Sequence, residues 1–348
     1  MKYLGIFCLM LLFLFCQQDD TSYKQFTVRT IAFYNVENLF DTINDSLVYD
    51  DDRTPLGKDR WTTERYKKKI GDISRVISEI GQDITGSSPD LIGLCEVEKQ
   101  EVVEDLIHHP NLVGGNYGIV HVDAPDERGI DVAFIYKKSV FLPMSFSSHR
   151  LLLMDEAQER DYTRDQLVVG GKLESKEIHL IINHWPSRSG GETRSRPGRI
   201  AAARLTRRIK DSILSVSPDS GIIIMGDLND NPTDISLKNV LGSLPNRDRL
   251  QANDLFNPME TLYKKGHGTL AYRDEWSLFD QILLTGNLAN KNSAELSFWK
   301  VGIYNPAYLI TPTGRFKGYP YRTYAGGTYT GGFSDHFPVY IAMLKAVD

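Results

Sequence analysis

Residues 221–232 read GIIIMGDLNDNP, and they constrain the fold more than any other stretch. Ile222, Ile223, Ile224 and Met225 form a short unbroken apolar run, which fits a strand buried on both faces. A piece of buried helix carries the same signature and is the alternative. Gly226 breaks the run, and Asp227 and Asn229 follow two residues apart. On an extended chain both side chains point the same way, at the C-terminal rim of a sheet. That rim is where open α/β sheets place ligands. Read locally, the same residues make an Asx-rich turn, since Asp, Asn and Pro all favour turns. The rest of the chain has to decide.

The pattern recurs. Residues 28–34 (VRTIAFY) read as a strand that runs into Asn35-Val36-Glu37-Asn38, and 91–95 (LIGLC) as a strand that ends at Glu96. Residues 178–182 form another, ending at Asn183-His184; the last strand, 337–344, is entered through Ser334-Asp335-His336. Further strands are expected at 117–122, 130–136, 140–154, 166–173, 277–284 and 296–303. Over 62–84, Ile70, Ile73, Val76, Ile77 and Ile80 recur at helical spacing, with Lys67, Lys68 and Lys69 on the polar side. A short helix is expected at 102–107, and a longer one around Ile200, Leu205, Ile209 and Ile213. Residues 253–261 read as irregular and 311–332 as a loop. No repeat or low-complexity linker splits the 348 residues. The expectation is one mixed-sheet α/β domain of ten or more strands, packed as two sheets.

A polar residue at one strand end is routine. Asn35, Glu96, His184, Asp227 and Asn229 all follow strands directly, and Asp335 and His336 stand just before one. Together they look like one site assembled from distant segments. Glu, Asp and Asn suit a hard cation such as Mg²⁺ or Ca²⁺, whereas scattered His and Cys do not suit a structural zinc. Asp280 interrupts Leu278, Phe279, Ile282, Leu283 and Leu284. A carboxylate there is costly unless paired, and His336, beside another buried strand, is the natural partner. The alternative is an edge Asp facing solvent. Arg188 follows His184 closely enough to reach a phosphate, and Arg128, just before the 130–136 strand, is a second candidate. The later arginines of 186–210 read as a solvated helix face. In 314–332, Tyr319, Tyr321, Tyr324 and Tyr329 alternate with Arg315, Lys317 and Arg322. They either stack bases and sugars or belong to a surface loop.

The net charge of −5 argues against sequence-blind nucleic-acid binding by the whole surface. At the N-terminus, Lys2 precedes an apolar run from 4 to 16, too short to span a bilayer comfortably but suited to a signal-peptide core. Cys16 is followed by Gln17, Gln18, Asp19 and Asp20, which resembles a bacterial lipoprotein signal with Cys16 as the lipidated residue. Phe15 is bulky for that position, and a plain signal peptide is the alternative. The division expected is a signal at 1–16, a tether at 17–27 and a folded domain at 28–345, in the cell envelope or secreted. Past Cys8 and Cys16 only Cys95 remains, so the domain has no internal disulfide. Cys95 reads as a buried small hydrophobe, and no residue suggests a covalent nucleophile.

The segments YNVENLF, LIGLCEVE, GIDVAFIY, INHWPSR, IIMGDLND, LFDQILL and FSDHFPV, in that order, resemble the endonuclease/exonuclease/phosphatase superfamily of deoxyribonuclease I-like enzymes. The resemblance covers about residues 28–345. It implies a four-layer α/β/β/α sandwich, two mixed β-sheets face to face with helices outside, and metal-dependent cleavage of a phosphate ester. Carried over residue by residue, it makes Glu96 the main ligand of Mg²⁺, with Mn²⁺ or Ca²⁺ as alternatives. Asn35, and Glu37 or Asp335, complete or support that site. Asp227 orients and deprotonates the attacking water or handles the leaving group's proton, and Asn229 hydrogen-bonds the phosphate. His336, oriented by Asp280, stabilises phosphoryl oxygens or acts as acid/base, and His184 contacts the phosphate from the opposite side. The chemistry agrees with first principles, since phosphoryl transfer needs charge neutralisation and in-line positioning more than a covalent nucleophile. The expected substrate is nucleic acid, cleaved by a monomer. A lipid or sugar phosphate reached from a membrane anchor is the second reading, and a non-enzymatic binding module the third.

Overall fold

A computed structural model describes residues 25–155, 157–290 and 295–347. The signal segment, Cys16 and residues 17–24 of the tether lie outside them. The first strand already begins at Phe26, so the end of the expected tether belongs to the sheet. Among the described residues no helix is long and apolar enough to cross a membrane.

Two mixed sheets face each other. The first, six-stranded, runs Ser297–Ile303, Val339–Ala346, Phe26–Leu39, Leu91–Val97, Asp131–Lys137, Tyr117–His121. The second, seven-stranded, runs Ser243–Leu244, Leu255–Phe256, Asp280–Thr285, Gly221–Asp227, Lys176–His184, Gln166–Leu173, Phe141–His149. In each, a central strand has one parallel and one antiparallel neighbour. Phe26–Leu39 lies parallel to Leu91–Val97 and antiparallel to Val339–Ala346. Gly221–Asp227 lies parallel to Lys176–His184 and antiparallel to Asp280–Thr285. This placement explains the unbroken apolar runs, because such strands are covered on both faces. Ile223 and Met225 pack into the space between the sheets, with Phe33, Cys95, Phe134 and Ile341. Ile222 and Ile224 face the opposite way, onto the Glu192–Val216 helix. The outer face of the first sheet is covered by helices Thr63–Glu79 and Gln100–His108. The layers are therefore helix, sheet, sheet, helix. Each of the four residues from Ile222 to Met225 is fully buried, worth about 1.5–3 kcal/mol apiece.

The differences from the sequence reading are local. Residues 253–261 hold a short strand, Leu255–Phe256, and the start of a helix, Met259–Lys264. The segment 277–284 splits: Glu275–Ser277 pairs with Leu270–Tyr272 in a separate ribbon, and the buried strand starts at Asp280. The loop 311–332 contains a small ribbon, Tyr324–Ala325 with Thr328–Tyr329. Elements this short carry too few residues to show a period.

Candidate active site

Parallel and antiparallel pairing bring the strand ends to one rim. Asp227 is opposite His184 on one side and Asp280 on the other. Gly226 permits this close approach, since a Cβ there would lie 2.4 Å from the Asn183 carbonyl oxygen. From the facing sheet come Asn35 and Glu96. The Asn35 amide nitrogen donates to Glu96 Oε1 at 3.2 Å and to Asp227 Oδ2 at 3.1 Å, joining the two sheets across the cleft. Glu96 stands at positive φ, 62°, where the strand pairing slips; its Oε2 accepts from the Asn38 amide.

Three groups surround Asp227. His184 Nε2 is 3.8 Å from Asp227 Oδ2 and 3.9 Å from Glu96 Oε1. His336 Nε2 is 3.8 Å from the same Asp227 oxygen. The Asn229 amide donates to Asp227 Oδ1 at 3.0 Å, and the Asn229 side chain, at φ 49°, donates to the Trp185 carbonyl. That leaves a second amide hydrogen on Asn229 to offer a ligand. Asp280 is fully buried and binds His336 Nδ1 at 2.6 Å. The solvent-facing alternative for Asp280 is thereby removed.

Electrostatics separate the roles. Burial pushes the Asp227 carboxyl up to about 7, with Asp280 and Glu96 adding to the shift and His336 opposing it. A base poised near neutrality is suited to taking a proton from water. For His336, burial opposes the charge, but Asp280 and Asp227 outweigh it and hold the imidazole well above its ordinary value. His184 goes the other way: burial, with Arg164 and Arg128 nearby, holds it well below, so it stands as a neutral ring. One histidine is a cation and acid, and the other is a neutral donor facing the same anion.

The donor set also fits a divalent ion. Glu96 is a hard oxygen ligand at the mouth of the cleft, with 15% of its side chain exposed. Mg²⁺ keeps several waters and takes one or two carboxylates plus substrate phosphate, so a sparse protein set suffices. Bound there, such an ion supplies Lewis acidity and neutralises phosphate charge. Asp227, Asp280 and His336 also have ligand atoms within 4.8 Å of one another, but the 2.6 Å bond commits Asp280 to the imidazole.

Four of the expected residues have partners within the protein. The Asn35 amide oxygen accepts from the Glu37 backbone N–H at 2.9 Å, which engages one of its two lone pairs, while its nitrogen bridges Glu96 and Asp227. Glu37 is turned away, because Glu37 and Asn38 both adopt positive φ, 49° and 53°. Its carboxylate accepts from the Thr323 amide and lies beside Arg322 and buried Lys69. Asp335 is bound by the Arg322 guanidinium. Arg188 is captured by Asp230 at 3.0 Å and Asp234 at 2.7 Å, and lies over the Phe279 ring. Arg128 also pairs with Asp126, at 3.3 Å, but half of its side chain stays exposed and it lies near His184, which leaves it the cation best placed to reach a phosphate.

Two supporting residues went unread. Ser334 donates to the Asn35 carbonyl at 2.7 Å and accepts from the His336 amide, locking the His336 loop to the facing strand. Buried Arg164 pairs with Asp126 and donates to the Trp185 carbonyl that also holds Asn229. A serine before Asp-His carries no compositional signal. An arginine just ahead of the apolar 166–173 strand was the available hint for Arg164.

The fold has counterparts. The chain shares its fold with D. rerio TDP2 complexed with a single-strand DNA product, at 16% identity and TM-score 0.53, covering 91% of this chain and 99% of that one. It is similarly related to a mannosyl-6-phosphatase of Bacteroides thetaiotaomicron, at 17% identity and TM-score 0.52, covering 92% and 100%. An endonuclease/exonuclease/phosphatase family protein of Bacteroides thetaiotaomicron matches at 16% and 0.53, covering 93% and 100%. No curated protein matches significantly in sequence. The sequence profile of the Endonuclease/Exonuclease/phosphatase family, however, matches residues 30–345. The chain belongs to this family of metal-dependent phosphoester hydrolases.

Proposed function

We propose that this phosphoester hydrolase, with Mg²⁺ at Glu96, cleaves the phosphate ester of a small polar alcohol rather than long nucleic acid. The observation that carries the reading is the neutralisation of the cations around the rim. Arg188 is tied by Asp230 and Asp234, Arg199 by Asp230, Arg164 by Asp126, and Arg322 by Glu37 and Asp335. A nuclease groove needs uncompensated Lys and Arg along the backbone path. The basic segment after His184 likewise spends much of its charge on internal partners. Arg128 suffices for one phosphate. The fold itself is neutral on substrate, being shared by a DNA-bound protein and a sugar phosphatase.

In this reading Asp227 accepts the proton of the attacking water, and Asn229 and neutral His184 donate hydrogen bonds to phosphoryl oxygens. His336, held as imidazolium by Asp280, protonates the leaving alkoxide. Proton transfer of this kind contributes about 10²–10⁴-fold.

The test is a panel with Mg²⁺, Mn²⁺ or Ca²⁺ against glucose 6-phosphate, phenyl phosphate, bis-phenyl phosphate, sphingomyelin, RNA and plasmid DNA. Turnover of a small ester should exceed nucleic-acid cleavage, and Glu96→Gln or His336→Ala should lower it by about 10²-fold or more. Faster cleavage of plasmid or RNA than of any small ester would overturn the substrate reading.

A further inference from the structure

Beside Glu96 lies a cavity of about 200 Å³ lined by Glu37, Asn38, Arg53, Trp61, Arg322, Thr323, Tyr324 and Asp335. It is below the size of drug-sized ligand pockets and offers room for a single ring. It shares two walls with the phosphate site: the Asn38 amide donates to Glu96 Oε2 at 3.0 Å, and Asp335 immediately precedes His336. The cavity is thus joined to the phosphate site through Asn38 and through the Asp335–His336 segment. We propose that the cavity is the alcohol subsite and that it takes one polyhydroxylated ring, a sugar or cyclitol; the proposal rests on the small-ester reading above.

The lining argues for that class. Arg322 meets Glu37 and Asp335, Arg53 pairs with Asp59, and buried Lys69 adds its charge beside Glu37. The charges balance, so the cavity suits a neutral group better than a second phosphate of a nucleic-acid chain. The lining holds both donors and acceptors, which suits hydroxyls, because each hydroxyl both donates and accepts. The Asn38 side-chain amide lines the cavity and makes no hydrogen bond among the described residues, so its donor and acceptor are available. The walls are braced. Arg53 pairs with Asp59 at 2.8 Å, the Tyr324 hydroxyl donates to the Asp59 carbonyl, and Trp61 Nε1 donates to the Phe40 carbonyl.

A nucleobase fits less well. Base recognition uses an open aromatic face. Trp61 is 2% exposed, its ring is tilted 46° to Tyr324, and the Arg53 guanidinium lies 5.8 Å from the Tyr324 ring centroid. No parallel aromatic slot is open.

The experiment compares kcat/KM for glucose 6-phosphate with that for phenyl phosphate, in the wild type and in Asn38→Ala and Arg53→Ala. The ratio should favour the ring polyol at least tenfold in the wild type and fall at least tenfold in both variants, mainly through KM. A variant that merely misfolds lowers both substrates equally and leaves the ratio unchanged, and an unchanged ratio in both overturns the proposal. Turnover of phenyl phosphate with no preference for the polyol overturns the subsite while leaving the small-ester reading intact. No turnover of any small ester removes the small-ester reading itself. A binding arm reads the subsite without turnover. Asp227→Asn protein titrated with glucose 6-phosphate and Mg²⁺ should bind it, and adding Asn38→Ala should weaken that binding about tenfold. Absence of binding, or binding indifferent to Asn38, overturns the subsite.

Discussion

Replacing Asp280 by Asn keeps the shape of the side chain and removes the charge that sets His336. The wild-type pair is 2.6 Å apart, with Asp280 fully buried. In the variant, burial opposes the imidazolium and only Asp227, 3.8 Å away, and, more weakly, Asp335 still favour it. His336 then stands largely neutral at pH 7 and loses its value as a proton donor. The expected fall in kcat is about 10²–10⁴-fold, or about 3–5 kcal/mol of transition-state stabilisation. Removing one member of a buried charge pair costs about 3–5 kcal/mol of stability, and the low end applies because His336 can shed its proton. The pH dependence has a definite sign. The folded-state pKa of His336 lies above its ordinary 6.5, so the pair's contribution is fully present below that value and fades as pH climbs through the folded one. Urea unfolding of the metal-free protein at pH 6 and at pH 9 reads stability, and turnover of a small ester reads kcat. The variant's deficit in stability should be larger at pH 6. A kcat within threefold of wild type, or a deficit equal at both pH values, refutes the assignment of His336 as an imidazolium held by Asp280.

Asp227→Asn should abolish turnover yet stabilise the metal-free protein at pH 8. Burial lifts the carboxyl from 3.8 to about 7, so folded protein holds a proton that the unfolded chain has lost, and stability falls as pH rises between those values. The variant lacks that slope and gains on the order of 4 kcal/mol by pH 8, read by urea unfolding; an unchanged slope rejects the shift. Adding Mg²⁺ should raise the melting temperature of the wild type, by an amount equivalent to about 2.7 kcal/mol at a hundredfold excess over Kd, and Glu96→Gln should lose the effect. An equal response in the variant would remove Glu96 as the ligand. The lipoprotein reading of the N-terminus, a proposal resting on the sequence alone, predicts that the wild type sediments with membranes and that Cys16→Ala releases it; a soluble wild type, or a variant retained on membranes, excludes a Cys16 anchor.

The parts of the site that were legible in the sequence share one physical origin. A strand covered on both faces must be apolar, so a polar residue at its end is conspicuous, as at Glu96, His184 and Asp227. Asp280 was readable for the same reason, since an unpaired carboxylate inside LFDQILL is too costly to be accidental. The layering followed from the same runs, because strands without an alternating polar face need cover on both sides. What sequence pattern did not carry was backbone direction. The resemblance made Glu37 a support of the metal site, but two successive residues at positive φ swing its carboxylate to Thr323 and Arg322. Arg188 failed in a related way. Asp230 and Asn231 read as a turn leading away, yet the turn folds back, and its Asp230 and Asp234 take the guanidinium that had been assigned to phosphate.

The same limit explains why substrate choice was the least readable property. The catalytic groups sit on strand ends, where burial enforces a pattern. The cavity beside Glu96 is built from Arg53, Trp61, Tyr324 and Asp335, which lie on loops far apart in sequence and meet only through tertiary contacts such as Tyr324 to Asp59. Buried Lys69 links the two regimes. It counted in the sequence as part of a polar helix face. In the structure, its ammonium reaches the Thr323 hydroxyl at 2.7 Å, and it lies close enough to Glu37 for that carboxylate to support its charge. Burial still lowers its pKa to about 8. A helix of the outer layer thereby fixes the loop that carries Arg322 and Tyr324, so the wall of the alcohol subsite is anchored to the scaffold rather than left to the loop's own conformation.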